Sequence, residues 1–326
     1  MNKFISTLAL FVFLAAPANA AYKKPYLGKT DTYRANNEDT LVHIARKHEL
    51  GFVELRAANP YVDPWLPGKG TEITLPARHI LPDADKKGIV INIAEMRLYA
   101  FVNGDDAPDT FPIAIGREGL ETPLGTTKVV RKKEGPTWRP TARMREEDPS
   151  LPASVPAGPE NPLGTHAVYL GWTTYAIHGT NKPFGIGRRV SSGCIRMYPE
   201  NIIKMYKIAK IGMPVRVVNQ PIKLAWIDGE LFLEAHPDLE QSIQMEENGT
   251  VSTHKMTDAD MQQIIKAAGK HQNKLHWSKI RMAVRERSGL PISIAIAPEE
   301  EDKAEKKEED KVAAKPKKKR RVPTYN

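Results

Sequence analysis

Gly88-Ile89-Val90-Ile91-Asn92-Ile93-Ala94-Glu95-Met96-Arg97-Leu98-Tyr99-Ala100-Phe101-Val102 sets the fold class. Its first half is a continuous apolar run of strand length. A second run starts at Met96, and the turn residues Asn103-Gly104 follow it. Two short apolar runs bounded by turn signals read as a β-hairpin rather than a helix. Outward from it the texture repeats. Residues 111–115, 126–131, 167–170, 175–177 and 215–218 each read as a short strand, and 200–211 as a helix ending at Gly212. Many strands with few helices predict a mainly β domain over 88–219, a β-sandwich or cradle. Between Gly135 and Pro162 prolines crowd and little regular structure is expected; loops this long are usually functional.

Upstream, helical spacing starts at Asp39-Thr40-Leu41 and continues through Ile44-Ala45. A second helix carries Phe52, Leu55 and Ala58 and is stopped by Asn59-Pro60. A turn at Leu66-Pro67-Gly68 and a strand at Ile73-Thr74-Leu75-Pro76 complete a small βααβ module over 31–80. Before it, Met1-Asn2-Lys3, an apolar run from Phe4 to Leu14 and Ala18-Asn19-Ala20 are the parts of a secretory signal peptide (1–20). The run is far below the roughly 18–20 residues of a spanning helix. Cleavage after Ala20 and export follow as expectations.

Downstream, 220–295 reads as an extension. It holds a hairpin over 223–234 turning at Asp228-Gly229, and helices over 258–268 and 277–287, the latter capped by Gly289 and stopped by Pro291. From 298 to 326 the chain is Glu, Lys, Ala and Arg with almost no large apolar residue, which predicts a disordered charged tail. Its Pro316-Lys317-Lys318-Lys319-Arg320-Arg321-Val322 looks like a nuclear-import signal, but in an exported chain it reads as a solvated basic tail.

The formal charge is +9. For an exported protein this points to anionic envelope polymers as partners, with no nucleic acid. A single cysteine excludes an internal disulfide. A lone thiol is then either a small core hydrophobe or a working group, and its neighbours decide between the two.

Those neighbours are Tyr175-Ala176-Ile177-His178-Gly179-Thr180 and Ser191-Ser192-Gly193-Cys194-Ile195-Arg196-Met197. A thiol needs a base and a positive environment to act as a nucleophile. His178 ends an apolar strand and can offer its imidazole at the strand's mouth. Gly193 clears a side chain beside Cys194, and the backbone N–H groups of Ser192-Gly193-Cys194 are candidate oxyanion donors. Arg196 suits either gripping a carboxylate or bracing the loop. Each piece alone reads as structure; together, with His178 and Cys194 16 positions apart, they read as a catalytic pair.

This arrangement resembles the L,D-transpeptidases with a YkuD-type catalytic domain. Their His-Gly, spacer and Ser-x-Gly-Cys-x-Arg signature falls on His178-Gly179, Ser191, Gly193, Cys194 and Arg196. The likeness extends over roughly 31–235 and includes Ala94-Glu95-Met96-Arg97-Leu98-Tyr99, Glu121-Thr122-Pro123-Leu124-Gly125, Pro136-Thr137-Trp138, Val155-Pro156-Ala157-Gly158-Pro159 and Phe184-Gly185-Ile186-Gly187. It is nearest the LysM-bearing periplasmic enzymes of Gram-negative bacteria. The 31–80 module is similar to a LysM glycan-binding domain, with Asn37-Glu38 where that family has Gly-Asp.

The resemblance implies a peptidoglycan transpeptidase without cofactor or metal. Cys194 would attack the diaminopimelate carbonyl of a tetrapeptide stem, release D-Ala, and pass the acyl group to an amine. That amine belongs to another diaminopimelate, giving a 3–3 cross-link, or to an envelope protein. His178 would serve as general base and acid, with Gly179 and Ser191 completing the catalytic set and Tyr175, Thr180 and Ser192 binding substrate. Carbapenem-type inhibitors would acylate Cys194, and the protein would work in the periplasm.

Other readings fit less well. Papain-like peptidases place Cys before His, sortases space the pair more widely, and a zinc site lacks further ligands beyond His166, His178 and Cys194. The alternative of another class is a non-enzymatic peptidoglycan-binding protein acting through the LysM-like module.

Overall fold

The computed structural model describes residues 22–102, 104, 106–247 and 252–297. The expected signal peptide, the charged tail and Asn103 of the expected turn lie outside the described residues. No helix among them is long and apolar enough to cross a membrane.

The chain opens with β1 (Tyr26–Leu27), then β2 (Asp31–Arg34), α1 (Leu41–Lys47), α2 (Phe52–Ala58) and β3 (Glu72–Leu75), before β4 (His79–Ile80) returns to pair with β1. Strands β2 and β3 are antiparallel, with Tyr33 opposite Ile73. The helix ends follow from side-chain caps. The Thr40 hydroxyl accepts the His43 N–H at 3.2 Å, and Glu54 accepts the Gly51 N–H at 2.9 Å. Asn59 stops α2 by hydrogen-bonding sideways: Nδ2 donates to Leu55 O and Thr74 O, and Oδ1 accepts from Thr74 N, each at 2.8 Å.

Next come β5 (Gly88–Asn92), β6 (Arg97–Phe101), β7 (Asp109–Gly116), β8 (Gly125–Glu134), α3 (Ala142–Glu147), β9 (His166–Leu170), β10 (Ala176–His178), β11 (Arg189–Ser191), β12 (Ile195–Met197), α4 (Pro199–Ile208) and β13 (Pro214–Val218). The nine strands form one sheet in the order β11-β7-β12-β10-β9-β8-β13-β5-β6. Strand β7 is long enough to take three partners. Its first half meets β6 (Leu98 opposite Phe111) and its second half meets β12 (Arg196 opposite Ala114) and β11 (Arg189 opposite Ile115), so the sheet closes on itself. The hairpin read from 88–102 is β5–β6, with Ile89 opposite Ala100. Ile91, Leu98, Ile113, Ile177, Ile195 and Met205 fill a core continuous with Leu41, Ile44 and Leu55 of the preceding module.

The 135–162 stretch holds little regular structure, as expected: the short helix α3, capped by the Thr141 hydroxyl on Met144 N–H, and a bridge between Trp138 and Val155. Fully buried Asn161 holds its two ends, donating from Nδ2 to Pro136 O (2.7 Å) and Pro156 O (2.9 Å). The helix expected to reach residue 211 stops at Ile208, because Ala209 is already extended.

The extension comprises β14 (Ile222–Ile227), β15 (Glu230–Ala235), α5 (Leu239–Glu247), α6 (Asp258–Ala268), α7 (Trp277–Glu286) and β16 (Ile292–Ile296). Asp228 and Gly229 both have positive φ (49° and 83°), as a type I′ turn requires. The extension is more than a hairpin with helices. β16 adds a third antiparallel strand to β15, and α6 and α7 cover the sheet over a separate apolar core that includes Leu231, Leu233, Ile264, Ile280 and Val284. The cap of α7 is also different: it is Arg287, left-handed at φ 48°, while Gly289, also at positive φ (72°), lies two residues beyond. The Arg287 guanidinium is buried and donates to His236 O at 3.1 Å, which holds it there.

A buried ionic junction ties these parts together. Lys223 on β14 stands 2.6 Å from Glu95 and 2.8 Å from Glu234, and donates to Ile80 O at 2.6 Å. Tyr99 donates to Glu95 at 2.8 Å, and His236 lies 2.8 Å from Glu234. On the module side Arg97 pairs with Glu54 at 2.8 Å. Buried His79, Glu95 and Glu234 could together offer ligand atoms to a metal, but the Lys223 ammonium is already the counter-ion of both carboxylates.

Candidate active site

Parallel strands β10 and β12 set the frame. Ile177 lies opposite Ile195 and His178 opposite Arg196, so Cys194, one residue before β12, comes level with Ala176. With side chains alternating across a strand, His178, Arg196 and Cys194 share one face. Diagonal neighbours on such a face are roughly 7–8 Å apart, within reach of a ring and a thiol.

His178 is buried. Its Nδ1 lies 2.6 Å from Gly179 O; a carbonyl only accepts, so Nδ1 carries the proton and Nε2 keeps a free lone pair. Burial, reinforced by the Arg196 charge, lowers its pKa to about 4, against the opposing pull of the Gly179 and Leu163 carbonyls. The imidazole is therefore neutral at neutral pH and able to take a proton. Gly179 packs closely here: a Cβ on it would fall 3.0 Å from Ile202 Cγ2 and 3.3 Å from Leu163 O, so a side chain would push on both.

Cys194 is half-buried. Burial raises its pKa, although the Ala176 backbone N–H and Arg196 pull the other way. The resting pair is thus thiol and imidazole rather than thiolate and imidazolium. The thiol points at Thr174 O, 3.4 Å away, and no hydrogen bond joins Sγ to His178. Thr174 itself is left-handed (φ 71°), a costly state for a β-branched residue and one that clusters at functional sites.

The turn before Cys194 is pinned from several sides. Ser191 Oγ donates to Cys194 O at 2.5 Å and accepts from Gly193 N at 3.1 Å. Gly193 has φ 102°, and a Cβ on it would fall 2.8 Å from Tyr175 Cε1. That ring, edge-on to Trp172 at 6.3 Å, therefore walls the turn. Thr122, buried, accepts from Gly116 N at 3.1 Å and donates to Gly193 O at 2.8 Å.

Arg196 is half-buried, with Nε buried and lacking a partner, and burial lowers its pKa. It makes no ion pair among the described residues, so it is free to grip an anion rather than brace the loop. Thr180 does not join the group: its hydroxyl accepts from Lys182 N at 2.9 Å and shapes the following turn. Ser192 is half-buried beside the thiol, with no side-chain hydrogen bond. Two residues the sequence reading left without a role belong here. Thr122 holds the Gly193 carbonyl, and Arg117 donates from its backbone N–H to Ser191 O at 2.9 Å. The Glu121-Thr122-Pro123 stretch carried a signal for the first; nothing in the sequence marked the second.

Residues 86–217 match the family model described as the L,D-transpeptidase catalytic domain, YkuD. The chain is 41% identical over 249 residues to the protein named probable L,D-transpeptidase YbiS of Escherichia coli K12, covering 72% of this chain and 81% of that one. It is 38% identical to probable L,D-transpeptidase ErfK/SrfK of Salmonella typhimurium (80% and 84% covered) and 44% identical to ErfK/SrfK of Escherichia coli K12 (65% and 70% covered). With relatives of that identity matched over most of their length, and with Cys194 and His178 inside the matched domain, the chain belongs to the L,D-transpeptidases, as an enzyme with a YkuD-type catalytic domain.

Proposed function

We propose that Cys194 is the nucleophile of a peptidoglycan L,D-transpeptidase and His178 its base. The observation that carries this reading is the Nδ1 bond of His178 to Gly179 O, which fixes the tautomer and leaves Nε2 as the basic atom on the face shared with the thiol. The donor is a stem tetrapeptide ending in diaminopimelate and D-Ala. His178 takes the thiol proton as Sγ attacks the diaminopimelate carbonyl, the Cys194 backbone N–H supports the oxyanion while the expected Gly193 donor is engaged by Ser191 Oγ, and the same proton leaves on the D-Ala amine. The C–N bond is exchanged for a thioester. An acceptor amine then loses a proton to His178, attacks the thioester and restores the thiol. Arg196, unpartnered beside the pair, stabilises negative charge in both steps.

The acceptor is the amine of a second diaminopimelate, giving a 3–3 cross-link, or of an envelope protein. The 31–80 module is a LysM-like unit directed at wall glycan, supported by the exposed Tyr61, Trp65 and Leu66 on the loop after α2. Work in the periplasm after removal of residues 1–20 fits the Gram-negative relatives. Carbapenem-type inhibitors acylate the same sulfur.

Purified tetrapeptide muropeptides incubated with the enzyme should release D-Ala and yield 3–3 dimers. Release of D-Ala with no dimer, but with label appearing on an added envelope protein, would assign the protein acceptor. Wall binding with neither product would favour a binding protein acting through the module.

A further inference from the structure

Strand β7 ends at Gly116 and passes the chain to Arg117, whose backbone is anchored on Ser191 O. Ser191 is bonded in turn to Gly193 and Cys194. The base of Arg117 is therefore locked to the nucleophile's turn, while its guanidinium extends outward. There it meets a carboxylate from the 135–162 loop: Nη2 lies 3.2 Å from Glu147 Oε2. Glu147 ends α3, a helix with no buried side chain, and is shared with Arg143. Both members of the Arg117–Glu147 pair are about half exposed, at 47% and 48%, and such a pair is weakly held. Arg196 lies opposite Ala114 of the same strand β7, near enough for the Arg117 charge to disfavour its own. One guanidinium, Arg196, thus stands beside Cys194 with no ion pair among the described residues, and a second, Arg117, lies close enough for its charge to act on Arg196 and is held only by a displaceable carboxylate. Like charges placed together and left uncompensated are costly unless an anion joins them.

We propose that Arg117 and Arg196 form a carboxylate-binding subsite for the donor stem, and that Glu147 fills Arg117 as a stand-in until the donor's carboxylate displaces it. Arg117 is then a specificity-determining residue, and α3 is released from the site mouth when the correct donor binds. The proposal rests on the donor reading given above. The stem supplies two candidates near the scissile bond, the terminal carboxylate of D-Ala and the side-chain carboxylate of diaminopimelate, and both present the same planar anion to a bidentate fork.

The test measures D-Ala release from a tetrapeptide donor by the full-length enzyme and by Arg117→Gln, Arg117→Lys and Glu147→Gln. Alkylation of Cys194 by neutral iodoacetamide is followed in parallel. Loss of a charged hydrogen bond should raise KM roughly tenfold or more in Arg117→Gln. Alkylation should hold its rate, and Arg117→Lys should recover part of the loss. Glu147→Gln should lower KM roughly two- to threefold. Donors amidated at one carboxylate at a time then assign the ligand: the informative one binds the unaltered enzyme as poorly as Arg117→Gln binds the native donor. An unchanged KM in Arg117→Gln, alkylation slowed by the same factor, or indifference to both amidations would overturn the subsite. Absence of D-Ala release by the unaltered enzyme would instead overturn the donor reading, and the subsite with it.

Discussion

His178 Nδ1 lies 2.6 Å from the carbonyl oxygen of Gly179, the residue that follows it. The orienting partner of this ring, the proposed base, is thus the chain itself rather than a third side chain. Burial and Arg196 together keep the ring neutral down to about pH 4, while burial keeps Cys194 protonated. Acylation consequently needs a proton transfer as the substrate arrives, not a preformed ion pair. The rate of acylation should be flat from about pH 5.5 to 8 and fall as pH drops through about 4, where His178 protonates. His178→Ala should remove this acid limb and slow acylation by about two to four orders of magnitude, with wall binding unchanged. A limb centred near pH 6.5 would mean the ring is not buried in the working enzyme. The same shift has a stability consequence. His178 binds its proton more readily unfolded than folded, so the fold loses stability as pH falls from about 6.5 to about 4.

Thr122 acts at a distance on the same turn. Thr122→Val keeps the shape but removes the hydroxyl shared by Gly116 N and Gly193 O. Two buried backbone groups lose their partner, which should cost about 1–3 kcal/mol. Denaturant titration reads the stability, and the D-Ala release rate should drop more than the stability loss explains, because the Gly193 carbonyl held by Thr122 fixes the turn that leads into Cys194. A variant of full activity would separate Thr122 from the site.

Lys223→Met should be among the most damaging substitutions outside the site. Burial alone would drive the Lys223 pKa down, but Glu234 and Glu95 outweigh it and hold it above its usual value. Its removal leaves two carboxylates buried without their cation, at a cost of about 3–5 kcal/mol. The Lys223 contribution is fully present at neutral pH, below the lysine's unfolded value, and is lost only at strongly alkaline pH. Glu234, lowered in the fold despite burial, loses its share as pH falls through the acidic range. Chemical denaturation at pH 7 and pH 4.5 should therefore show a smaller difference between Lys223→Met and the unaltered protein at the lower pH. Equal differences would place the loss in packing rather than charge.

The strands of the sheet were legible because their apolar runs are short and bounded by turns, and Asp228-Gly229 was legible because only a few residue types tolerate its two positive φ angles. The closure of the sheet was not, since it depends on β7 pairing with β6 and β12 in succession, a non-local property that no local pattern encodes. Strand β16 was hidden because Ile292-Ser293-Ile294-Ala295-Ile296 packs against β15, more than fifty residues upstream, and gains its meaning only there. At the site, Cys194, His178, Gly193 and Arg196 stood out as residue types whose spacing fits one chemistry. Arg117 did not, because an arginine after a strand looks like any solvated cation until its backbone is seen on Ser191. Thr180 was expected to bind substrate from the resemblance alone; in the structure its hydroxyl accepts from Lys182 N, a turn contact that the sequence does not mark.

The most direct test of the nucleophile is intact-protein mass spectrometry after incubation with a carbapenem or a tetrapeptide donor, comparing the unaltered enzyme with Cys194→Ser. A single adduct that maps to residue 194 and is absent from Cys194→Ser is the expected result. A stable adduct retained in Cys194→Ser, or an unmodified enzyme that still converts donor to product, would contradict the assignment of Cys194.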